Sequence, residues 1–163
     1  MLKRYRLLVL ICALIIPADQ LSKLYIDSTM ALHQSYTVIE HFFNICYVLN
    51  TGAAFGMLAD SAVRVPLLTG VAVLAAGVIL WIYRHIDGRQ LQRFALALVF
   101  SGAIGNLIDR IRLGAVIDFI DVHWYQHHWP AFNVADSAIT VGVSLLLVDM
   151  WYSERNRVKA QAN

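Results

Sequence analysis

The sequence predicts an all-α membrane protein: four transmembrane helices with a small extracytoplasmic β-sheet segment. Three observations lead there. Hydrophobic residues fill 59% of the 163 positions and charged residues only 15%. Mean hydropathy is +0.60, whereas a soluble domain is about half apolar and a quarter charged. The apolar residues gather in four runs, each close to the length that a hydrocarbon core of roughly 30 Å demands. The segments between them are too short for a separate soluble domain. Residues 1–163 therefore read as a single integral membrane domain whose site is built from span ends and loops.

The first span is read over residues 7–24. Lys3, Arg4 and Arg6 precede it and Asp19, Gln20 and Lys23 interrupt its far end. A positive start and an apolar run resemble a signal peptide, but Pro17-Ala18-Asp19-Gln20 offers no small-x-small cleavage site, so a retained anchor is expected. The second span is read over 63–83, the third over 91–108 with Asn106 and Asp109 at its end, and the fourth over 134–151. A buried core helix rarely stays apolar for so long.

Charge orients the spans. Lys3, Arg4, Arg6, Arg84, Arg89, Arg93, Arg155, Arg157 and Lys159 fall on one side, against Lys23, Arg64, Arg110 and Arg112 on the other. The positive-inside rule then predicts cytoplasmic termini. Tyr5, Trp81, Tyr83, Trp151 and Tyr152 fall near the inner boundary, as aromatic belts do. The outer segment, about residues 33–60, carries β-branched and aromatic runs at Tyr36 to Ile39 and Phe42 to Leu49, expected as short strands. Asn50-Thr51-Gly52 is a turn signal, and Gly52 to Leu58 reads as an interfacial helix or tight loop. Such a sheet has the shape to hold an extended peptide by strand addition.

This threading brings Asp19, Asp109, Asp118 and Asp136 to the outer side. A carboxylate at hydrocarbon depth is costly and usually functional. Asp118 and Asp136 are the candidate catalytic pair. Two carboxylates in one partly desolvated site cannot both ionise easily, so one keeps a proton. The ionised one can take a proton from water while its partner activates a carbonyl. The plainer alternatives are an ordinary loop carboxylate for Asp118 and a helix N-terminal acid for Asp136. Asn133, three residues before Asp136, is an N-cap candidate and shares its helix face. Asn106, Asp109 and Arg110 read as a polar lock closing the third span, with an Asp109–Arg110 or Asp19–Arg110 ion pair. Asp19 and Lys23, four apart, can pair, and Lys23 has the length to snorkel to the headgroups. Asn50 could bind a substrate backbone, with Gly52 permitting close approach; the alternative is a turn packed on the membrane.

His33, His41, His123, His127 and His128 lack metal-ligand spacing. No metal and no cofactor is expected, nor a disulfide between Cys12 and Cys46. The formal charge is only +2, and no nucleic-acid partner is expected.

Five blocks resemble the lipoprotein signal peptidase (signal peptidase II) family. They are Asp19-Gln20-Leu21-Ser22-Lys23, Asn50-Thr51-Gly52-Ala53-Ala54-Phe55, Gly102 through Arg110, Val116-Ile117-Asp118-Phe119 and Phe132-Asn133-Val134-Ala135-Asp136-Ser137. Together they cover essentially the whole chain in order. The resemblance implies an aspartyl endopeptidase of the bacterial inner membrane. It would cleave diacylglyceryl-modified prolipoproteins immediately before the lipidated cysteine, and be a target of globomycin-like cyclic peptides. It maps the catalytic dyad onto Asp118 and Asp136. Asp19, Asn50, Asn106, Asp109, Arg110 and Asn133 map onto surrounding polar residues that shape the site and contact substrate. Membrane phospholipids are further expected partners. The competing reading is a proton- or ion-coupled transporter, since intramembrane acids also serve relays.

Overall fold

The structure, a computed structural model, describes residues 2–52, 64–86 and 89–162. Four helices carry the fold: α1 (Leu2–Thr29), α2 (Arg64–His85), α3 (Gln90–Leu113) and α4 (Val134–Ala162). All four are long and apolar enough to cross a membrane. The expected spans, apart from residue 63 outside the described residues, fall on these four helices; α1 and α3 run past the expected bounds at both ends, α2 and α4 at their C-terminal ends. At 1.5 Å per residue, the 28 residues of α1 extend about 42 Å, more than a hydrocarbon core requires. The surplus turns are polar, so an apolar-length rule does not see them. Asp109 lies in such a turn, whereas Asp19, Lys23, Asn106 and Asp136 lie at the polar ends of the expected spans themselves. The expected loop or helix from Gly52 to Leu58 falls, beyond Gly52, outside the described residues.

Helix α3 is the centre of the bundle. Half of its most apolar window is buried, against 6% for α2. Close approach of its neighbours follows from small residues. A Cβ on Gly105 would lie 2.6 Å from Asp19 Oδ2, and one on Gly102 would collide with the Ala135 carbonyl. Glycine at these positions lets α1 and α4 press their polar ends onto α3. Near the terminal end of the bundle, Leu8, Tyr83, Leu96 and Ala97 form an apolar core.

At the other end lies a four-stranded antiparallel sheet in the order β1 (Ser35–Ile39), β2 (Phe43–Asn50), β3 (Val116–Trp124) and β4 (His127–His128). β1 and β2 were expected; β3 and β4 were not. The sequence pattern places Asp118 in a loop between spans, yet in the structure it sits on β3, paired opposite Val48. The strand forms because Val116, Ile117, Phe119, Ile120 and Val122 are β-branched or aromatic. The sheet thus joins the segment after α1 to the segment after α3, and extends beyond residues 33–60. Ile26 and Met30 of α1 pack on Tyr47 and Ile117, clamping the sheet to the bundle. Phe132, just before α4, forms a bridge to Ile120, with Phe132 N–H donating to Ile120 O at 3.0 Å. That bridge fixes where α4 starts relative to β3.

Candidate active site

Asp118 and Asp136 reach the site from different elements. The β2–β3 register sets Asn50 opposite Val116 and Val48 opposite Asp118. Asn50 and Asp118 are therefore diagonal neighbours on one sheet face. Asn50 Nδ2 donates to Asp118 Oδ2 at 2.9 Å, and Asn133 Nδ2 donates to Asp118 Oδ1 at 2.7 Å. Asn133 is the N-cap of α4: its Oδ1 accepts the Asp136 N–H at 2.8 Å. Asp136 follows in the first turn, where its Oδ1 accepts from Asn106 Nδ2 of α3 at 2.7 Å. Asn106 Oδ1 in turn accepts from Asn133 Nδ2 at 3.2 Å. Two asparagines therefore connect the two acids. Among the described residues no donor reaches Asp136 Oδ2.

Asp118 is 1% exposed. Burial pushes its carboxyl up to about 6, with the Asp136 charge adding to the rise and the Asn50 and Asn133 hydrogen bonds opposing it. Asp136 is half-buried. Gly52 supports the arrangement from the side. Its N–H donates to Asn50 Oδ1 at 2.8 Å, which fixes the Asn50 amide with its NH2 toward Asp118. That turn needs φ of +73° at Gly52, a conformation glycine adopts freely.

Behind the acids lies a second cluster. Lys23 Nζ sits 2.9 Å from Asp19 Oδ2, 2.8 Å from Asp109 Oδ2 and 3.0 Å from Asn106 Oδ1. Lys23, Asp19 and Asp109 are fully buried. The expected Asp19–Lys23 pair is present. The expected ion pair to Arg110 is not: Lys23 takes both carboxylates. Arg110 follows Asp109 directly, and adjacent helix positions point apart. Its half-buried side chain has no ion-pair partner among the described residues. Nor does Lys23 snorkel, because Asp109 and Asn106 of α3 complete its three contacts inside the protein. Backbone donors join these contacts: the free oxygen of Asp19, Oδ1, accepts the Ala135 N–H at 2.9 Å, and Asp109 Oδ2 accepts the Ile117 N–H at 3.2 Å beside the ammonium.

Gln20 was not singled out. Its Nε2 donates at 3.1 Å to Asp19 Oδ2, Asp109 Oδ1 and the Gly105 carbonyl. Its place between Asp19 and Lys23 in the first block was the available signal.

Two grooves open onto the acids. One, of about 550 Å³, is lined by Val48 to Gly52, Asp118, Pro130 and Ala131. The other, of about 590 Å³, runs from Trp129 to Phe132 past Asp136 and Ser137 to Thr140 and Val141 of α4. They share Pro130 and Ala131. A larger apolar groove lined by α1 and the sheet contains neither acid. Among the described residues no three His, Cys, Asp or Glu side chains are placed to hold a metal ion.

Fold and site together define a multi-pass membrane protein with a carboxylate–amide centre where the ends of α1, α3 and α4 meet a small sheet. The family described as signal peptidase (SPase) II matches residues 11–152. The lipoprotein signal peptidase of Syntrophotalea carbinolica is 49% identical over 162 residues, covering 99% of each chain. That of Geobacter sulfurreducens is 57% identical over 140 residues, covering 85% of this chain and 88% of the relative. A bacterial membrane enzyme solved by the in meso method at 1.9 Å resolution superimposes with a TM-score of 0.79 at 33% identity, over 88% of this chain and 91% of that one. A second, at 2.3 Å resolution, gives 0.81 at 33% identity, over 91% and 90%. The chain belongs to the lipoprotein signal peptidase (signal peptidase II) family.

Proposed function

We propose that the protein is an aspartic endopeptidase that removes signal peptides from diacylglyceryl-modified prolipoproteins, cutting immediately before the lipidated cysteine. One observation carries this reading: Asp118 and Asp136 arrive from separate elements and are joined through Asn133 and Asn106, and among the described residues no cation is in contact with either. In this reading the pair holds one proton. The ionised carboxylate takes a proton from water, and the water attacks the scissile carbonyl. The protonated partner hydrogen-bonds the developing oxyanion, and a proton then passes to the leaving amine. The amides on Asp118 stabilise its ionised form, while Asp136 Oδ2 remains open to water and substrate.

The two grooves suit such a substrate. The one ending at Asn50 and Gly52 would take extended peptide beside β2. The one running along Thr140 and Val141 opens onto the exposed face of a transmembrane helix, where acyl chains can stay in lipid. Globomycin-like cyclic peptides would compete for the same space, and surrounding phospholipids would line the helices. The charge asymmetry supports cytoplasmic termini and a site near the outer leaflet of the bacterial inner membrane. Impermeant thiol reagents applied from outside should label a cysteine at Ser35 and not one at Arg89; the reverse pattern would overturn this orientation.

The activity test uses purified protein and a lipidated prolipoprotein, comparing wild type with Asp136→Asn. Cleavage before the lipidated cysteine by wild type alone is the expected result. Cleavage elsewhere, or equal cleavage by both, would refute the assignment.

A further inference from the structure

Asn106 is the only side chain hydrogen-bonded to a carboxylate oxygen of Asp136 among the described residues, at 2.7 Å from Nδ2 to Oδ1. That contact depends on which way the amide faces. An asparagine turned over would present its carbonyl oxygen to the carboxylate and repel it. Two donors prevent this. Lys23 Nζ, 3.0 Å away, and Asn133 Nδ2, 3.2 Å away, both point at Asn106 Oδ1. An ammonium has three protons and no acceptor, so the atom facing it must be the oxygen. The hydrogen bond to a charged donor is also the stronger of the two.

Lys23 itself cannot turn elsewhere. It is 0% exposed, and Asp19 and Asp109 hold the other sides of its ammonium. A buried ion pair is weak evidence for a purely stabilising role, because apolar packing often serves as well. Here the third ammonium contact goes neither to a carboxylate nor to a backbone carbonyl. It goes to the amide that reaches Asp136.

We propose that Lys23 is a positioning residue for the two catalytic carboxylates: its ammonium locks the Asn106 amide so that the NH2 faces Asp136, and places a fixed positive charge one residue behind the pair. This rests on Asp118 and Asp136 being the reacting groups. Among the described residues, the charged or titratable groups facing the pair and the amide are Asp19 and Lys23 from α1, Cys46 from β2, Asp109 from α3, Asp118 from β3 and Asp136 from α4. Lys23 is the one cation in that set. Its charge favours the ionised form of Asp118, so its removal must shift proton affinity of the pair upward.

Lys23→Met alone would leave two buried carboxylates without a cation and lose stability for that reason, which would mask any effect on the chemistry. The test therefore uses two charge-balanced double variants, Lys23→Met with Asp109→Asn and Lys23→Met with Asp19→Asn. Each preserves the net charge of the cluster while deleting the ammonium. Cleavage of lipidated prolipoprotein is measured against pH on protein shown to be folded by its thermal transition in detergent. At least one double variant should fold. In it, kcat should fall about 10- to 100-fold with KM within about threefold. The acid limb of the kcat/KM profile should move up, because Lys23 acts on Asp118 while neither Asp19 nor Asp109 is among the groups that shift it. A purely structural lysine would lower the folded fraction and leave the limb in place; that result, or failure of both doubles to fold, overturns the proposal. Asp118→Asn and Asp136→Asn run alongside. If they cleave, the dyad reading fails first. If they are inert and the doubles keep the wild-type profile, the role of Lys23 alone is wrong.

Discussion

Two pairs of carboxylates lie on either side of Asn106, and they are built oppositely. Asp19 and Asp109 share an ammonium, a glutamine and two backbone N–H groups, and both are fully buried. Every strong donor they can use is supplied. Among the described residues, Asp118 and Asp136 receive only asparagine amides, and no donor reaches the second Asp136 oxygen. The first pair shares a neighbouring positive charge. The second is held in place by neutral amides. A carboxylate that must gain and lose a proton needs the second environment, since a salt bridge would fix it in one state. The location of an acid near a membrane boundary does not separate the two kinds; the presence or absence of a cation within hydrogen-bond reach does.

The largest expected effect tests that distinction directly. Asp118→Asn and Asp136→Asn should each keep the fold and lower turnover by about 10³-fold or more, because both an acid and a base are needed in one site. Turnover of lipidated substrate by folded, purified variants checks this. A rate near wild type for either variant would dissolve the contrast between the pairs.

The locked pair should fail differently. Lys23→Met, made alone, should destabilise the protein by about 3–5 kcal/mol, the usual cost of leaving buried charges unpaired. Thermal or denaturant unfolding in detergent would show it. A stable Lys23→Met protein would mean that Asp19 and Asp109 do not depend on their cation.

The contrast between these pairs was only partly legible in the sequence. The four long apolar helices follow from hydropathy alone, which sees their apolar middles and not their polar ends. The N-cap at Asn133 and the pairing of Asp19 with Lys23 follow from local spacing. What spacing along one helix cannot tell is which residue from another helix completes a polar group. Lys23 was free to snorkel until Asp109 and Asn106 of α3 were placed beside it. Arg110 looked like the better partner for Asp109 because it was the nearest cation in sequence. β3 was missed for a related reason. Asp118 and Asp121 broke the apolar run between two spans, so the segment read as a loop, although its other positions are those of a strand.

The pH response sharpens the comparison within the site. Burial raises the Asp118 carboxyl from its ordinary 3.8 to about 6. The unfolded chain therefore releases this proton at lower pH than the folded chain does. Stability from this group is present in full below about pH 4 and is lost as pH rises through 6. The loss approaches about 3 kcal/mol, at 1.36 kcal/mol per unit. Asp118→Asn should remove that dependence, so its unfolding free energy should be flatter than wild type between pH 4 and 6. Activity runs the other way. If ionised Asp118 serves as base, kcat/KM should fall as pH drops below about 6, with macroscopic values that belong to the pair. An acid limb near pH 4 would show that Asp118 is not the carboxylate whose burial limits the reaction.

The smallest effect is expected at Asp149, an acid of α4 outside both pairs. It lies 13 residues after Asp136, about 20 Å along the helix at 1.5 Å per residue. Its Oδ2 accepts from Gln92 Nε2 at 2.6 Å, tying the terminal ends of α3 and α4 together. Asp149→Asn can keep that contact through its own carbonyl oxygen. The charge-assisted bond becomes a neutral one, at a cost of about 1 kcal/mol. Turnover should stay within about twofold of wild type, because the residue touches neither acid pair and neither groove. This null result carries weight because the rival reading predicts the opposite. A proton- or ion-coupled transporter needs acids on both sides of the membrane, and Asp149 would be its inner station. Loss of function on Asp149→Asn, with the protein folded, would mean that the acids of α4 work as a trail across the bilayer. Retention of cleavage would leave the chemistry confined to the end of the bundle where Asp118 and Asp136 meet.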